Sequence, residues 1–305
     1  MSNQSYPKIS IVTQCYNRED RIAETIESVL SQGYPNLEYI VIDDGSTDKS
    51  FEIIQRYRDQ LAYIEQLPGK RDTPVEAINY GFSKATGDIL GWLNSKNILL
   101  PNSLFTVGRV FNTFSDVDWL TGIGLTLDGS GCITNVIPVR KDLYEHLAGT
   151  SSNIQQESTF WRRSLWEKAG SNIPQGFPHA FDIGLWSTQF FPQAKLYHLN
   201  TLLGAYRKSP KAFSSVNRGE FLHEIEQARA ALWTKMPART RRYAQAFQII
   251  RWLKPALRNI PDPIYVKIPF LKEFCHHAIK FDKMEGELAT LTRYKRNPFR
   301  TIFPW

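Results

Sequence analysis

Two adjacent carboxylates stand where an apolar run meets a turn: Tyr39-Ile-Val-Ile-Asp43 leads directly into Asp44-Gly45-Ser46-Thr47-Asp48. An earlier apolar run ends in Cys15-Tyr16-Asn17. A strand that finishes in acids and a glycine turn presents polar groups at the carboxyl edge of an open α/β sheet, where such sheets bind small ligands. The same pair of acids could also do no more than cap the turn. Two further groups of residues are equipped for chemistry: Asn94-Ser95-Lys96-Asn97, just after a third apolar run, and Asp182, which precedes Leu185-Trp186.

The elements that would position these groups are legible from periodicity. Residues 9–13 read as a buried strand, and 20–32 carry Ile22, Ile26, Val29 and Leu30 at helical spacing. Residues 37–42 are a strand again, which makes a βαβ unit with a parallel pairing. Residues 48–57 are predicted as a helix with Asp48 as its N-cap. A short strand follows at 61–66, then a Pro68-Gly69 break, a helix over 74–85 with Val75, Ile78 and Phe82 on one face, and a central strand at 89–93. The runs around Asp128-Gly129-Ser130-Gly131, from Asp118 to Pro138, predict a hairpin. Helical segments are expected around 163–169 and 181–190, and beyond Arg218 at 220–235, 240–258 and roughly 271–291.

The chain has 305 residues, enough for a full α/β core and an appended unit. Its three cysteines, Cys15, Cys132 and Cys275, are far apart and odd in number, so neither a disulfide framework nor a zinc site is expected, and a reducing, cytoplasmic setting fits best. The polar start, Met1 to Lys8, lacks the apolar core of a signal peptide, and no run approaches a membrane span. The net charge is +7, but residues 219–305 hold 16 Lys/Arg against 8 Asp/Glu, which leaves 21 against 22 for residues 1–218. The basicity therefore belongs to the tail.

Five stretches in order carry a family resemblance: Tyr16-Asn17-Arg18, Ser28-Val-Leu-Ser-Gln32, Ile42-Asp-Asp-Gly-Ser-Thr-Asp48, Ala77-Ile-Asn-Tyr-Gly81 and Ala85-Thr-Gly-Asp88. Together they resemble the inverting family 2 glycosyltransferases of the GT-A fold. Gln156-Glu157-Ser158-Thr159-Phe160-Trp161 and Asp182-Ile-Gly-Leu-Trp186 look like the second half of the same domain, so the resemblance covers about residues 8–210. It implies transfer of a sugar from a nucleoside diphosphate, most simply UDP, to an acceptor hydroxyl with inversion. By their places in the motifs, Asp44 would accept a hydrogen bond from the uracil N–H. Gln14, Tyr16, Asn17 and Asp43 would frame the nucleotide, with Lys70, Asn94 and Ser95 nearby. Asp182 falls where the family places its catalytic base. A carboxylate beside Phe181 and Trp186 would be partly desolvated, which raises its pKa towards a useful value, although a helix-start aspartate needs no catalytic role. Glu157 is a candidate for the donor sugar or acceptor, with Trp161 or Trp186 as a stacking surface, while core packing is the plainer role for the Trp and Phe residues of 159–166.

The sequence also departs from the family pattern. Relatives continue into an Asp/Asn-Ser-Asp-Asp stretch whose acids hold a divalent metal, whereas this chain reads Asn94-Ser95-Lys96-Asn97. An ammonium at Lys96 and a neutral amide at Asn97 disfavour Mg²⁺ or Mn²⁺, which need hard anionic oxygens. A histidine that often completes the metal site is missing from Arg207-Lys208-Ser209-Pro210. Two readings follow. In the first, Lys96 supplies the missing charge, helped by Lys70, Arg71 or Arg207, and the enzyme needs no metal cofactor. In the second, the domain is a degenerate homologue that binds or scaffolds an active partner, a view to which the stiffening Asp72-Thr73-Pro74 adds weight.

The expected architecture is an α/β GT-A domain, the Rossmann-like nucleotide-diphospho-sugar transferase fold, over residues 1–218, with a basic, mainly helical extension over 219–305. The expected partners are a nucleotide-sugar donor and a glycan or lipid-linked acceptor, in cell-surface polysaccharide assembly. The mixture of cations with aromatic and aliphatic residues in Thr240–Lys254 and at 293–305 suits an anionic membrane surface, which would place the protein on the inner face of the cytoplasmic membrane. No nucleic-acid-reading motif accompanies the basic helices, so no nucleic-acid partner is expected.

Overall fold

The apolar runs read as buried strands pair in parallel at the centre of one sheet. The computed structural model describes residues 6–137, 142–149, 154–208, 217–285 and 288–298. At the centre, β1 (Ile9–Cys15) lies between β2 (Leu37–Asp43) and β4 (Ile89–Trp92), parallel to both. The edge strand β3 (Tyr63–Gln66) extends the parallel set beyond β2. On the other side, β8 (Thr159–Arg162) runs antiparallel between β4 and β6 (Trp119–Leu127), and β9 (Leu196–Arg207) lies parallel to β6. The two-residue β5 (Ile98–Leu99) pairs with the end of β9, setting Ile98 opposite Ala205. The expected hairpin forms: β7 (Ile133–Ile137) pairs antiparallel with β6, and Asp128 Oδ1 accepts from the amides of Ser130 and Cys132 in the turn. Its expected end at Pro138 lies outside the described residues.

Both sheet faces are covered, which is why the strands are apolar throughout rather than alternating. Helix α1 (Ile22–Leu30) and α4 (Ser103–Thr113) share one cluster with Ile9, Ile11, Tyr39 and Val41. Helix α3 (Pro74–Lys84) packs on the other face with Val12, Ile40 and Ile42. A Cβ at Gly81 would come within 2.5 Å of Val12 Cγ1, so the glycine sets how closely α3 approaches the sheet. The remainder of that face is aromatic: Trp92 stacks on Trp186 with centroids 5.6 Å apart, and Trp186 stacks in turn on Trp119. Helix α2 (Ser50–Gln55) starts later than expected: Lys49 rather than Asp48 is its N-cap, and Asp48 Oδ1, one residue earlier, accepts from the Ser50 amide at 2.9 Å.

Past residue 217 the chain is helical and then returns to the sheet. After α5 (Leu143–Leu147), α6 (Arg163–Lys168) and α7 (Phe181–Leu185), two long helices follow, α8 (Arg218–Lys235) and α9 (Ala238–Ile250). The third helical stretch expected over 271–291 is corrected: β10 (His276–Glu285) and β11 (Leu288–Arg296) form an antiparallel hairpin, and β10 pairs in parallel with β9. The reason is visible in the residues, since Thr290, Thr292 and Tyr294 alternate with Leu291 and Arg293, and β-branched and aromatic side chains favour a pleated surface over a helix. The extension is therefore helical only in its first part.

The turn after β2 depends on a glycine. Gly45 has φ +76°, and a Cβ there would lie 2.4 Å from the carbonyl carbon of Gly69 in the loop crossing above it. Gly45→Ala is expected to cost about 1–3 kcal/mol, from the left-handed conformation and the backbone clash together. A urea melt checks this, and a midpoint equal to that of the unsubstituted chain would show that the loop yields freely.

Candidate functional site

The carboxyl edges of β1 and β2 are tied together before any ligand is considered. Asp43 is fully buried, and its Oδ1 accepts from the Ser46 amide at 2.8 Å and from Gln66 Nε2 at 3.0 Å. Across the edge, Asn17 adopts φ +47°, donates its amide to Ser46 Oγ at 2.9 Å and accepts from the Thr47 amide at 2.9 Å. Both were candidates for nucleotide contact; Asn17 Oδ1 and Asp43 Oδ1 are spent on the turn, while Asp43 Oδ2 is buried without a hydrogen-bond partner among the described residues. They are the struts of the turn that presents Asp44.

Asp44 is 2% exposed, and its Oδ1 has no hydrogen-bond partner among the described residues, with the nearest cation, Arg71 Nη1, at 3.9 Å. Arg71 is held by the carbonyls of Pro68 and Gly69 at 3.1 and 2.8 Å. Burial pushes the Asp44 carboxyl up to about 6, against the pull of Arg71 and its amide. A buried acceptor left without a donor is a costly feature, which a ligand N–H relieves. Close by, Lys70 Nζ sits 5.2 Å from the centre of the Tyr16 ring, and Gln14 is half-buried at the end of β1.

The second group gathers around a residue that the sequence reading missed. Tyr206, near the end of β9, has its ring 4.7 Å below Lys96 Nζ, and the charges of Glu157 and Asp182 both push its hydroxyl above the ordinary range, after burial. Lys96, Glu157, Asp182 and Tyr206 therefore share one neighbourhood. The β5–β9 pairing accounts for it, since Ile98 opposite Ala205 sets the 94–97 turn beside Tyr206. Burial, reinforced by the cation of Arg18 and opposed by Glu157, brings the Lys96 ammonium down to about 8. Arg18, just beyond β1, is thus a second cation at this end of the site. The Tyr206–Arg207 pair at a strand end was the available signal for Tyr206, since neighbours on a strand face opposite ways.

That alternation also corrects the expected role of Arg207. It is 3% exposed, and its guanidinium pairs with Glu24 and donates to the carbonyls of Lys96 and Asp128 at 3.3 and 3.2 Å. It holds the 94–97 turn from behind. Asn97 is 1% exposed and its Oδ1 accepts from the Arg207 amide at 3.1 Å, while the Asn94 carbonyl closes the turn on the amides of Lys96 and Asn97. Ser95 is buried against Cys15, whose thiol is pushed up to about 12, chiefly by burial. The 94–97 turn thus offers a cation and neutral groups, a poor donor set for Mg²⁺ or Mn²⁺. A cluster of metal-ligand type, Asp142, Glu145 and His276, lies between α5 and β10 beside the start of β9, away from this edge.

Asp182 is in the first turn of α7, and its Oδ1 accepts from the Ile183 amide at 2.8 Å. The ring of Phe181 lies against that of Trp92, with centroids 6.2 Å apart. The start of α7 is fixed by another residue that was missed. Glu224 on α8 accepts from the amides of His179 and Ala180 at 2.8 and 2.9 Å and from His179 Nδ1 at 2.6 Å. An acid at a helix N-terminus satisfies orphan amides and suits the dipole. Its remoteness in sequence, and the basic tail around it, gave no signal of that contact.

Trp161 and Trp186 do not form a sugar platform. Both are fully buried, and each is packed within the aromatic cluster beneath the sheet, 5.7 Å apart and nearly perpendicular. The strand and helix periodicities that put them on apolar faces leave no ring surface for a pyranose.

Residues 10–111 match the model of glycosyl transferase family 2. An uncharacterized glycosyltransferase of Rickettsia typhi is 31% identical over 128 residues, which is 42% of this chain and 39% of that protein. One from Haemophilus influenzae is 39% identical over 99 residues, 32% of this chain and 40% of that protein. The chain thus spans about two fifths of the length of these curated relatives. Among solved structures, Staphylococcus aureus TarS 1–349 in complex with UDP-GlcNAc superposes with a TM-score of 0.63 at 18% identity, over 80% of this chain and 72% of that one. The mannosyltransferase PcManGT of Pyrobaculum calidifontis, in complex with GDP-Man and Mn²⁺, gives 0.53 at 15%, over 88% and 85%. Residues 10–111 are thus similar in sequence to family 2 glycosyltransferases, and the sheet has the GT-A fold.

Trp186→Ala is expected to destabilise the protein by about 3–5 kcal/mol, the cost of a large cavity. Thermal unfolding separates the two roles, since a sugar platform at the surface would lose substrate affinity with an unchanged melting temperature.

Proposed function

We propose that the chain is an inverting glycosyltransferase that moves a sugar from a uridine diphosphate donor to a glycan or lipid-linked acceptor in cell-surface polysaccharide assembly, with Lys96 in place of a divalent metal. The observation that carries this reading is the placement, along one sheet edge, of a buried carboxylate oxygen lacking a donor and a half-buried ammonium. The first suits the ring N–H of a uracil, and the second suits the phosphates beyond it.

The roles follow from the chemistry. Asp44 accepts from the base and fixes the donor's orientation. Lys96, with Arg18 beside it, neutralises the charge that builds on the diphosphate as the bond from the sugar's anomeric carbon to the phosphate oxygen breaks. The acceptor oxygen attacks that carbon from the opposite face, which inverts it, and Asp182 takes the hydroxyl proton. UDP leaves with the electron pair of the broken bond. Glu157, 4% exposed beside Lys96, tempers the local positive charge rather than binding sugar.

Two pKa values give the proposal a pH signature. Asp44 is the stronger acceptor when ionised, so affinity for UDP rises as pH passes about 6. Lys96 attracts phosphate only when protonated, so affinity falls as pH passes about 8. Calorimetry of UDP binding, in EDTA and then in excess Mn²⁺, is expected to give this bell without dependence on metal. Lys96→Ala should remove the alkaline limb and weaken binding about 10–100-fold, the worth of a charge-assisted contact. Binding that appears only with Mn²⁺ would refute the metal-free site, and no binding under either condition would favour the degenerate, partner-binding homologue.

Asp182→Asn is expected to leave UDP affinity unchanged and to lower turnover by about 10²–10⁴-fold, the usual worth of a general base. Single-turnover kinetics with a UDP-sugar would check this, and an undiminished rate would remove Asp182 from the mechanism.

A further inference from the structure

The tail's helix α9 has two unlike faces. Ala244, Phe247 and Ile250 are buried in a cluster with Tyr265, Leu271 and Phe274. On the opposite side, Ile249 at the end of α9 and Trp252 and Leu253 in the 3-10 turn Arg251–Leu253 are 71%, 77% and 58% exposed. Their spacing of three and four residues puts them in one stripe. Arg242 is exposed on the same side, two helical turns before Ile249, with Arg241 partly exposed beside it. Residues 238–261 contain six Lys/Arg and no Asp/Glu.

We infer that this outer face of α9 seats the protein on an anionic lipid surface, with Ile249, Trp252 and Leu253 entering the headgroup boundary and the arginines meeting lipid phosphate. Large apolar side chains set together at the surface mark an interaction site. Tryptophan favours the boundary between hydrocarbon and water, and a helix with an apolar stripe and flanking cations lies in the plane of that boundary. No helix of the described residues is long and apolar enough to cross a membrane, so contact of this kind is in-plane. The charge argues against a second copy as the occupant. A two-fold contact through this face would bring the cations of each copy against those of the other, whereas an anionic bilayer complements them. The inference goes beyond the transferase reading and does not depend on it.

The test is flotation of the full chain with extruded vesicles of phosphatidylcholine, with and without phosphatidylglycerol, and UDP calorimetry on the same samples. Flotation is expected with the anionic vesicles only and is expected to weaken with salt. It should fall about tenfold or more both in Ile249→Ser/Trp252→Ala/Leu253→Ser and in Arg241→Gln/Arg242→Gln, from the apolar and electrostatic contributions respectively. All three apolar positions are exposed, so unfolding is not expected, and an unchanged melting temperature checks it. Absence of flotation, equal flotation with neutral vesicles, or full flotation of the triple variant would overturn the inference. A triple variant that changes the oligomeric state on size-exclusion chromatography would also overturn it, in favour of a protein partner. UDP binding that survives any of these results keeps the nucleotide site separate from the failure.

Discussion

The carboxylate of Asp43 is fully buried at the end of a central strand, and the site is organised around the hydrogen bonds that make this burial tolerable. A buried charge must be hydrogen-bonded or be driven neutral. Here the partners are the amide of Ser46 and the side chain of Gln66, one from the following turn and one from the edge strand β3. Bonding Asp43 Oδ1 thus folds the turn, and the folded turn sets Asp44 beside it, with Asp43 Oδ2 and Asp44 Oδ1 left without donors among the described residues. Asn17 completes the frame from the other strand, in a left-handed conformation that asparagine tolerates better than most residues. Of the two neighbouring aspartates of one motif, Asp43 ties the turn together through Oδ1, and each keeps one buried oxygen without a donor among the described residues.

A comparable use of side chains appears at the other end of the site. In the 94–97 turn, the amide of Asn97 clamps the backbone of β9, and Arg207 holds the turn's carbonyl from behind. Groups that could face a ligand from these positions are used for construction. Lys96 is the residue of the turn left to carry charge into the site, seated on the Tyr206 ring. A partly buried lysine on an aromatic face is confined to one place, and its desolvation brings its titration into an accessible range.

The central βαβ unit and its flanking helices were legible because both faces of each strand are covered, which leaves long apolar runs and helices with a single apolar stripe. Asp44, Lys96 and Asp182 were legible as positions in motifs. Local pattern could not show which way a side chain turns: Asp43 and Asp44 are adjacent in the same motif, and only the contacts of Ser46 and Gln66 tell them apart. Tyr206 and Glu224 were not legible because their importance comes from pairings distant in sequence, β5 with β9 and α8 with α7. The hairpin at 276–296 was misread as helix because Ala278, Ile279 and Leu291 are apolar in either reading, and the deciding threonines and tyrosine were outweighed by the helices before them.

The strand β10 lies alongside β9 over Tyr197–Leu199, and it belongs to the tail. A fragment ending near residue 218 would be a natural choice for isolating the catalytic unit. Such a fragment would leave that flank of β9 with bare amide and carbonyl groups, a template onto which another chain can add a strand. It would also lose Glu224 and, with it, the cap on the helix that carries Asp182. Insolubility of that fragment would therefore report an opened sheet edge, and its inactivity would say nothing about the chemistry of the intact chain.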